Sequence, residues 1–427
     1  MHSVMIRKAN RLSGTITLPG DKSISHRALL LGAIADGKTT IRGLSTAQDV
    51  MSTSSCLQAL GVNIENKHGD AVVHGVGLSG LKKSRVFLYA GNSGTTMRLL
   101  SGILAGQPFS SVLDGDASLR RRPMNRVIEP LKLMGARIDA SENGVAPFRV
   151  AGGGLHGITY KMPMASSQVK SAVLLAGLYA EGETVVVEPA PTRNHTEIML
   201  RAMGVSVENG NGSITIKPQA VSACELLDVP GDISSAVFFL AAGLLVPGSE
   251  VKMLGVGLNP TRAHVLKALE GMGAIVTVEN RETHAGEERG DLRVKTSELR
   301  SFEISGRDVP LVIDEIPMLA MLATQAKGVS KIRDAKELRV KESDRIEAIA
   351  VNLQKMGAQV KAYDDGMDIT GPVALKGTSI QTFGDHRIAM AFAIAGLIAK
   401  GETVIDDAGS AAVSFPEFFD TLEALQR

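Results

Sequence analysis

Tryptophan is absent from this chain, tyrosine occurs four times and cysteine twice in 427 residues, and the formal net charge is only +1. Each shortage excludes something. Nucleic-acid binding relies on a basic surplus or on aromatic platforms for the bases, and neither is present. Cys56 and Cys224 fit no metal-ligand spacing, so no metal is expected. Cys56 lies beside Leu57 and Leu60 and reads as a core residue. So few cysteines suit a reducing compartment. The longest apolar run, Ala236 to Val246, is about half as long as a bilayer span requires. Residues Met1 to Lys8 lack the apolar stretch of a secretion signal. The expectation is a cytoplasmic monomer that acts on small molecules and binds neither membrane nor nucleic acid.

Apolar residues make up 44% of the sequence, enough for a large interior, and 427 residues exceed one ordinary core. The length is organised as a repeat. An apolar, helix-like stretch closes at a glycine and a short β-rich run follows, at Gly37, Gly106, Gly182, Gly248, Gly328 and Gly401. These glycines recur at intervals of about 70 residues, the mark of stacked supersecondary units. Glycine belongs just past a helix end because it enters left-handed backbone conformations cheaply. A second marker keeps the same period: Leu60-Gly61-Val62, Met134-Gly135-Ala136, Met203-Gly204-Val205, Met272-Gly273-Ala274 and Met356-Gly357-Ala358. Each closes a more amphipathic helix, such as Asp49 to Leu60 or Asp344 to Met356, and strand-like residues follow. A sixth such helix spans Pro416 to Gln426, and residues 4 to 18 are expected to supply the strand its unit lacks.

A helix apolar all round is buried on every side. Each unit therefore holds one inner and one outer helix, with strands completing the layer. The fold class is α/β, with two similar domains of three repeated βαβαββ-type units each, built around buried parallel helices. The chain is expected to cross between them at Pro19-Gly20 and Pro230-Gly231. That gives residues 21–230 as one domain and residues 1–20 plus 231–427 as the other, with an active site in the cleft between them.

The starts of the six inner helices carry the chemistry. They read Gly20-Asp-Lys-Ser23, Gly91-Asn-Ser-Gly94, Ala165-Ser-Ser-Gln168, Gly231-Asp-Ile-Ser234, Ile313-Asp-Glu-Ile316 and Gly384-Asp-His-Arg387. Asp, Asn and Ser are plain capping residues. Capping does not account for Lys22, Arg27, Arg98, Lys170 and Arg387, cations near the first turns of otherwise apolar helices. Little acidic pairing at helical spacing is visible for Lys22 or Arg98. Parallel inner helices aim their positive N-terminal ends the same way, which makes an anion site. Two loops add cations: Arg120-Arg-Arg-Pro-Met124, and Arg339-Val-Lys-Glu-Ser-Asp-Arg345, which sets Lys341, Glu342 and Arg345 on about one turn. Arginine forks match phosphate oxygens, although such loops also occur as solvated surface or as an ion-paired helix start.

Three motifs mislead. Gly32-x4-Gly37-Lys38-Thr39 fits a phosphate-binding loop, but here a helix precedes and a strand follows, the reverse of what that loop needs. Gly152-x-Gly154-x-x-Gly157 leads into strand-like residues and not the helix of a dinucleotide site. Arg193-Asn-His195-Thr-Glu197 lacks the further ligands a zinc ion requires.

Taken together, Leu18-Pro-Gly-Asp-Lys-Ser-Ile-Ser-His-Arg27, Gly91-Asn-Ser-Gly-Thr-Thr-Met-Arg98, Arg122-Pro123, Ser166-Ser-Gln168, Arg339 to Arg345 and Gly384-Asp-His-Arg387 make the chain resemble the 5-enolpyruvylshikimate-3-phosphate synthase family over nearly its whole length. The resemblance implies an enolpyruvyl transferase-like, inside-out α/β barrel fold. It implies transfer of the enolpyruvyl group of phosphoenolpyruvate to the 5-hydroxyl of shikimate 3-phosphate, with release of phosphate and no cofactor. By resemblance, Lys22, Gly94, Arg122, Gln168, Arg345 and Arg387 bind phosphoenolpyruvate. Lys22, Ser23, Arg27, Ser166, Ser167, Gln168, Arg193, Asp314 and Lys341 bind shikimate 3-phosphate. Asp314 is implied as general base toward the 5-hydroxyl and Glu342 in proton transfer at the methylene carbon, with Lys22 assisting acid catalysis. Two carboxylates in different surroundings suit a reaction that delivers one proton and removes another.

Gly20-Asp-Lys22, Arg193-x-His195-x-Glu197 and Asn259-x-Thr261-Arg262 look like the second branch of that family. A lysine usual near the C-terminus in the best-known branch is replaced here by Val413, before Ser414-Phe-Pro416. Two rival readings stand beside this one. The sister enzyme that modifies a UDP-amino sugar uses a cysteine in the loop before its arginine-proline, and Leu113 to Pro123 has none. A non-catalytic repeat scaffold has no need of Lys22, Asp314 or Glu342.

Overall fold

Helices without a polar face end up inside. The computed structural model describes residues 2–67 and 69–427. In chain order its helices are α1 (Lys22–Ile34), α2 (Gln48–Ala59), α3 (Gly94–Ala105), α4 (Asn125–Leu133), α5 (Ser167–Gly177), α6 (His195–Ala202), α7 (Ile233–Leu245), α8 (His264–Gly271), α9 (Val309–Val312), α10 (Ile316–Ala323), α11 (Arg345–Lys355), α12 (His386–Gly396) and α13 (Phe418–Ala424). In α7, α10 and α12 nearly every residue is buried; α8 buries only Val265 and Leu269. Each fully buried Leu or Phe contributes about 2 kcal/mol, so the all-apolar helices are what the core is built on.

The chain divides into two compact units. Gly20–Val229 with Thr283–Glu287 forms the first, and the remainder, changing over at Pro19 and Pro230, forms the second. In the first, α3 packs on both α1 and α5; in the second, α7, α10 and α12 pack on one another. Sheets flank them. Leu88–Tyr89, Ser110–Asp114, Phe148–Ala151 and Arg137–Asp139 form one sheet in that order, its first pair parallel and the rest antiparallel. With α3 and α4 this is a βαβαββ unit, and the pattern recurs around α5 and α6 and around α10 and α11. Among the described residues none of the six sheets closes on itself.

Three units take a strand from elsewhere. Leu226–Asp228 returns to lie parallel to Ala35–Arg42, and Ser13–Thr17 lies parallel to Glu250–Gly257. The expectation that residues 4 to 18 complete the sixth unit holds only for Val4–Ile6, which pairs antiparallel with Thr403–Ile405. The other half goes to the fourth sheet. Between the two strands the chain stays against the sixth unit, with Ala9 N bonded to Leu397 O and Ser13 N to Leu425 O.

The glycine markers do what their spacing implied. Gly61, Gly135, Gly204, Gly273 and Gly357 all have φ between +81° and +105°. Gly106 is the exception among the closing glycines, ending α3 at φ −85°. Gly102 serves packing instead: a Cβ there would sit 2.2 Å from the Ala172 carbonyl oxygen of α5. Alanine favours helix by about 1 kcal/mol over glycine. A clash with backbone cannot be relieved by a rotamer, so Gly102→Ala is expected to destabilise by about 3 kcal/mol overall. Urea denaturation measures it; an unshifted midpoint would mean the helices separate freely.

Gly37-Lys38-Thr39 lies within a strand after α1, and Gly152 to Gly157 precedes the strand Thr159–Lys161, as their sequence contexts indicated. Among the described residues no helix is long and apolar enough to cross a membrane.

Candidate active site

Five inner helices begin with a side-chain cap. Asp21, Ser93, Ser166, Asp232 and Asp385 accept a backbone N–H of their own first turn. The exception is α10, where Glu315 makes no capping bond and a proline occupies the first turn. Asp314, just before it, is therefore not committed to a cap.

In the first unit the helix starts are tied together. Arg98 Nη1 donates to Gln168 Oε1 at 2.6 Å, and Gln168 Nε2 donates to Thr95 Oγ1 at 3.0 Å, joining α3 to α5. Arg27 of α1 donates to Ser171 of α5 and Thr196 of α6, at 2.8 and 2.7 Å. A buried chain of hydroxyls, Thr53, Thr96 and Ser93, runs from the His26 ring to the start of α3. The N-terminal ends of α1, α3 and α5 thus gather on one side, where their partial charges favour an anion.

Around that end stand Lys22, Ser23, Gly94, Arg122, Ser166, Ser167, Gln168 and Arg193. Lys22 has no acidic partner at helical spacing, as expected, but its ammonium lies 2.9 Å from Asp49 of α2. The partner is 27 residues away, beyond helical spacing. Of the three consecutive arginines only Arg122 turns inward, donating to Asn92 Oδ1 at 2.6 Å. Arg120 grips Asp114 with both ends of its fork, at 2.5 and 2.8 Å. Gly94 lies between guanidinium groups: a Cβ there would lie 2.7 Å from Arg98 Nη1 and 3.3 Å from Arg122 Nη1, so a side chain would push these arginine ends aside. Arg193 Nη1 reaches Ser23 Oγ at 3.4 Å.

Arg27 and Lys170 lie deeper. Burial pushes the Arg27 guanidinium down to about 10, with Glu197 opposing and Arg193 adding, so it remains charged at neutral pH. Lys170 directs its three donors to Glu197, Glu188 and the Thr192 carbonyl, at 2.7, 3.2 and 3.4 Å. It is a structural cation.

In the second unit Asp314, Lys341, Glu342, Arg345 and Arg387 come together. Arg345 is 1% exposed. Burial disfavours its charge, but Asp385 and Glu342, at 2.8 and 2.6 Å, outweigh that and hold it firmly protonated. Burial likewise opposes ionisation of Asp385, and Arg345 overcomes it. Arg345 Nη1 makes no hydrogen bond and lies 3.6 Å from Asp314 Oδ1. Lys341 Nζ lies 3.9 Å from the same oxygen. Burial lowers the Lys341 pKa and Asp314 opposes the shift. Arg387 Nη1 donates to the Asp314 carbonyl at 2.7 Å and lies 3.8 Å from Glu315. Glu315, fully buried, also touches Arg262 and Ser234. Part of the Arg339–Arg345 loop is plain structure, with Arg339 bound to Asp344 at 2.7 Å.

Two anion-seeking clusters, the second with Asp314 and Glu342 beside its cations, suit chemistry on phosphorylated substrates. A family model described as EPSP synthase (3-phosphoshikimate 1-carboxyvinyltransferase) matches residues 6–422. This chain belongs to that family. It is 50% identical over 419 residues to a 3-phosphoshikimate 1-carboxyvinyltransferase of Bacillus cereus, covering 98% of each chain. Identity to the enzyme of that name from Shouchella clausii is 51% over 417 residues, 97% of each. The solved structure of EPSP synthase from Acinetobacter baumannii superposes with a TM-score of 0.88 at 44% identity, covering 99% of this chain and 98% of that one. The enolpyruvyl transferase NikO of Streptomyces tendae shares the fold alone, with a TM-score of 0.80 at 19% identity over 99% and 96% of the two chains.

Within this EPSP synthase fold, reading the sequence missed Asp49, Asn92 and Glu315, the residues that hold Lys22, Arg122 and Arg387. Asn92 and Glu315 lie within helix starts that the sequence marks, but no local pattern pairs either with its arginine, or Asp49 with Lys22.

Proposed function

We propose that this chain transfers the carboxyvinyl group of phosphoenolpyruvate to the 5-hydroxyl of shikimate 3-phosphate and releases phosphate. Half-identity to the Bacillus cereus 3-phosphoshikimate 1-carboxyvinyltransferase along the whole chain carries the reading. The clustered residues fit its chemistry. Ser23, Arg27, Ser166, Ser167, Gln168, Arg193 and Lys341 bind shikimate 3-phosphate, and Arg122, Arg345 and Arg387 bind phosphoenolpyruvate, with Lys22 and Gly94 beside them. Asp314 takes the proton of the 5-hydroxyl as its oxygen attacks the enol carbon, and Glu342 serves the proton that reaches and later leaves the methylene carbon. The intermediate then expels phosphate. Cations offset the charge on the departing oxygen, which is where electrostatic stabilisation has most effect. Each role needs a group already charged or able to exchange a proton, so no redox partner enters. We place the chain in the cytoplasm as a monomer, with small molecules as its only partners.

The UDP-amino sugar reading finds no cysteine at Leu113 to Pro123, and Cys56 is buried with its thiol pushed up to about 12 by burial. Incubating the folded chain with both substrates and measuring inorganic phosphate tests the proposal. Release that depends on both substrates is the expected result. Folded protein without release would remove the function.

A further inference from the structure

Arg193 sits at the start of α6, which α1 and α5 hold through Thr196 and Glu197 but which has no side-chain cap of its own. α6 is eight residues long, and its N-cap, Asn194, makes no side-chain capping bond. Two residues after Arg193, the His195 ring is 1% exposed, and its Nδ1 lies 2.7 Å from Glu287 Oε1. The two are 92 residues apart in sequence. Glu287 belongs to the segment Thr283–Glu287, which groups with the first unit although its neighbours in sequence do not. That segment is seated closely on α6: at Gly286, φ +84°, a Cβ would lie 2.8 Å from Ile198 Cγ2.

We propose that Glu287 and His195 are positioning residues for shikimate 3-phosphate, fixing the first turn of α6 and with it the guanidinium of Arg193. The inference rests on the role given to Arg193 above. Two like charges, Arg27 and Arg193, act on each other here, and Glu287 acts on Arg27 with the opposite sign. Its carboxylate therefore relieves repulsion where two cations must stay close without a bound phosphate. Lys170 of α5 is paired with Glu197 of α6 and with Glu188, which lies in the segment leading to α6. Glu287 is the carboxylate bonded to His195, and on Arg27 it adds to the larger effect of Glu197. A buried His–carboxylate bond aligns the ring, the ring fixes the turn, and the turn aims Arg193.

Kinetics of Glu287→Ala, Glu287→Gln, His195→Ala and His195→Asn in the full chain test this, with calorimetric titration of shikimate 3-phosphate alone. The alanine variants should raise KM and Kd for shikimate 3-phosphate about tenfold, while kcat and KM for phosphoenolpyruvate change less than about twofold. His195→Asn, which keeps an N–H near the Nδ1 position, should recover most of the affinity. Glu287→Gln, which keeps the volume and an acceptor, guards against simple misfolding and should lie between. Unchanged affinity, or both KM values rising together, overturns the proposal; so does a fall in kcat alone, which marks lost folded protein. Arg193→Ala separates the two levels. If it weakens binding and the Glu287 variants do not, the positioning role fails while the assignment of Arg193 stands. If Arg193→Ala binds normally, that assignment fails first.

Discussion

Asp314→Asn lowers kcat about 10³-fold and leaves the fold and both KM values within a few-fold of the parent, by the usual magnitude of general-base loss. The substitution keeps the shape of the side chain and removes only its ability to take a proton. What could confuse the result is the arginine pair beside it. Arg387 bonds to the Asp314 backbone carbonyl, which an asparagine retains. Arg345 loses a carboxylate 3.6 Å from Nη1, but Asp385 and Glu342 hold it through Nε and Nη2. The phosphoenolpyruvate-binding cations thus stay in place and the loss falls on the chemical step. Steady-state kinetics with circular dichroism on the same sample decides it. A variant still within tenfold of the parent would transfer the base role to another group.

How far the sequence already contained this site depends on the distance over which each feature acts. Caps, glycines and apolar periodicity act within a helical turn, and they were legible: Asp344 to Met356 was expected as a helix, and α11 runs Arg345–Lys355. Glu342 and Arg345, three residues apart, were also placed together, and they pair at 2.6 Å. Partners that meet through the fold were not. Asp49 reaches Lys22 across 27 residues, Asp385 reaches Arg345 across 40, and Glu287 reaches His195 across 92. The arginine run shows the same limit. Three identical neighbours looked equivalent, yet Asp114 draws Arg120 outward while Arg122 is buried against Asn92. The family resemblance supplied the site assignments that local pattern could not. Its motifs contain Asn92 and Asp385 but do not tell which site arginine each holds, and they leave out Asp49 and Glu287. The N-terminal strands were read as one piece because each is only three to five residues long, too short for a period to separate them.

Lys22→Met should lower kcat by about 10²- to 10³-fold, the usual loss when one preorganised donor to a developing charge is removed. The Asp49 pairing complicates the prediction. Lys22 is 16% exposed and Asp49 only 7%, so the methionine leaves a largely buried carboxylate without its cation. A fully buried pair broken this way costs about 3–5 kcal/mol; with Lys22 still touching solvent, about 2 kcal/mol is expected here. Some activity would then be lost simply through unfolding. Lys22→Met combined with Asp49→Asn separates the two effects, since removing both charges leaves no orphan. The double variant should recover most of the urea midpoint and none of the turnover. If turnover returns with stability, Lys22 acts only by neutralising Asp49 and has no part in the chemistry. If neither variant loses rate, the anion site at the start of α1 does not bear on the reaction at all.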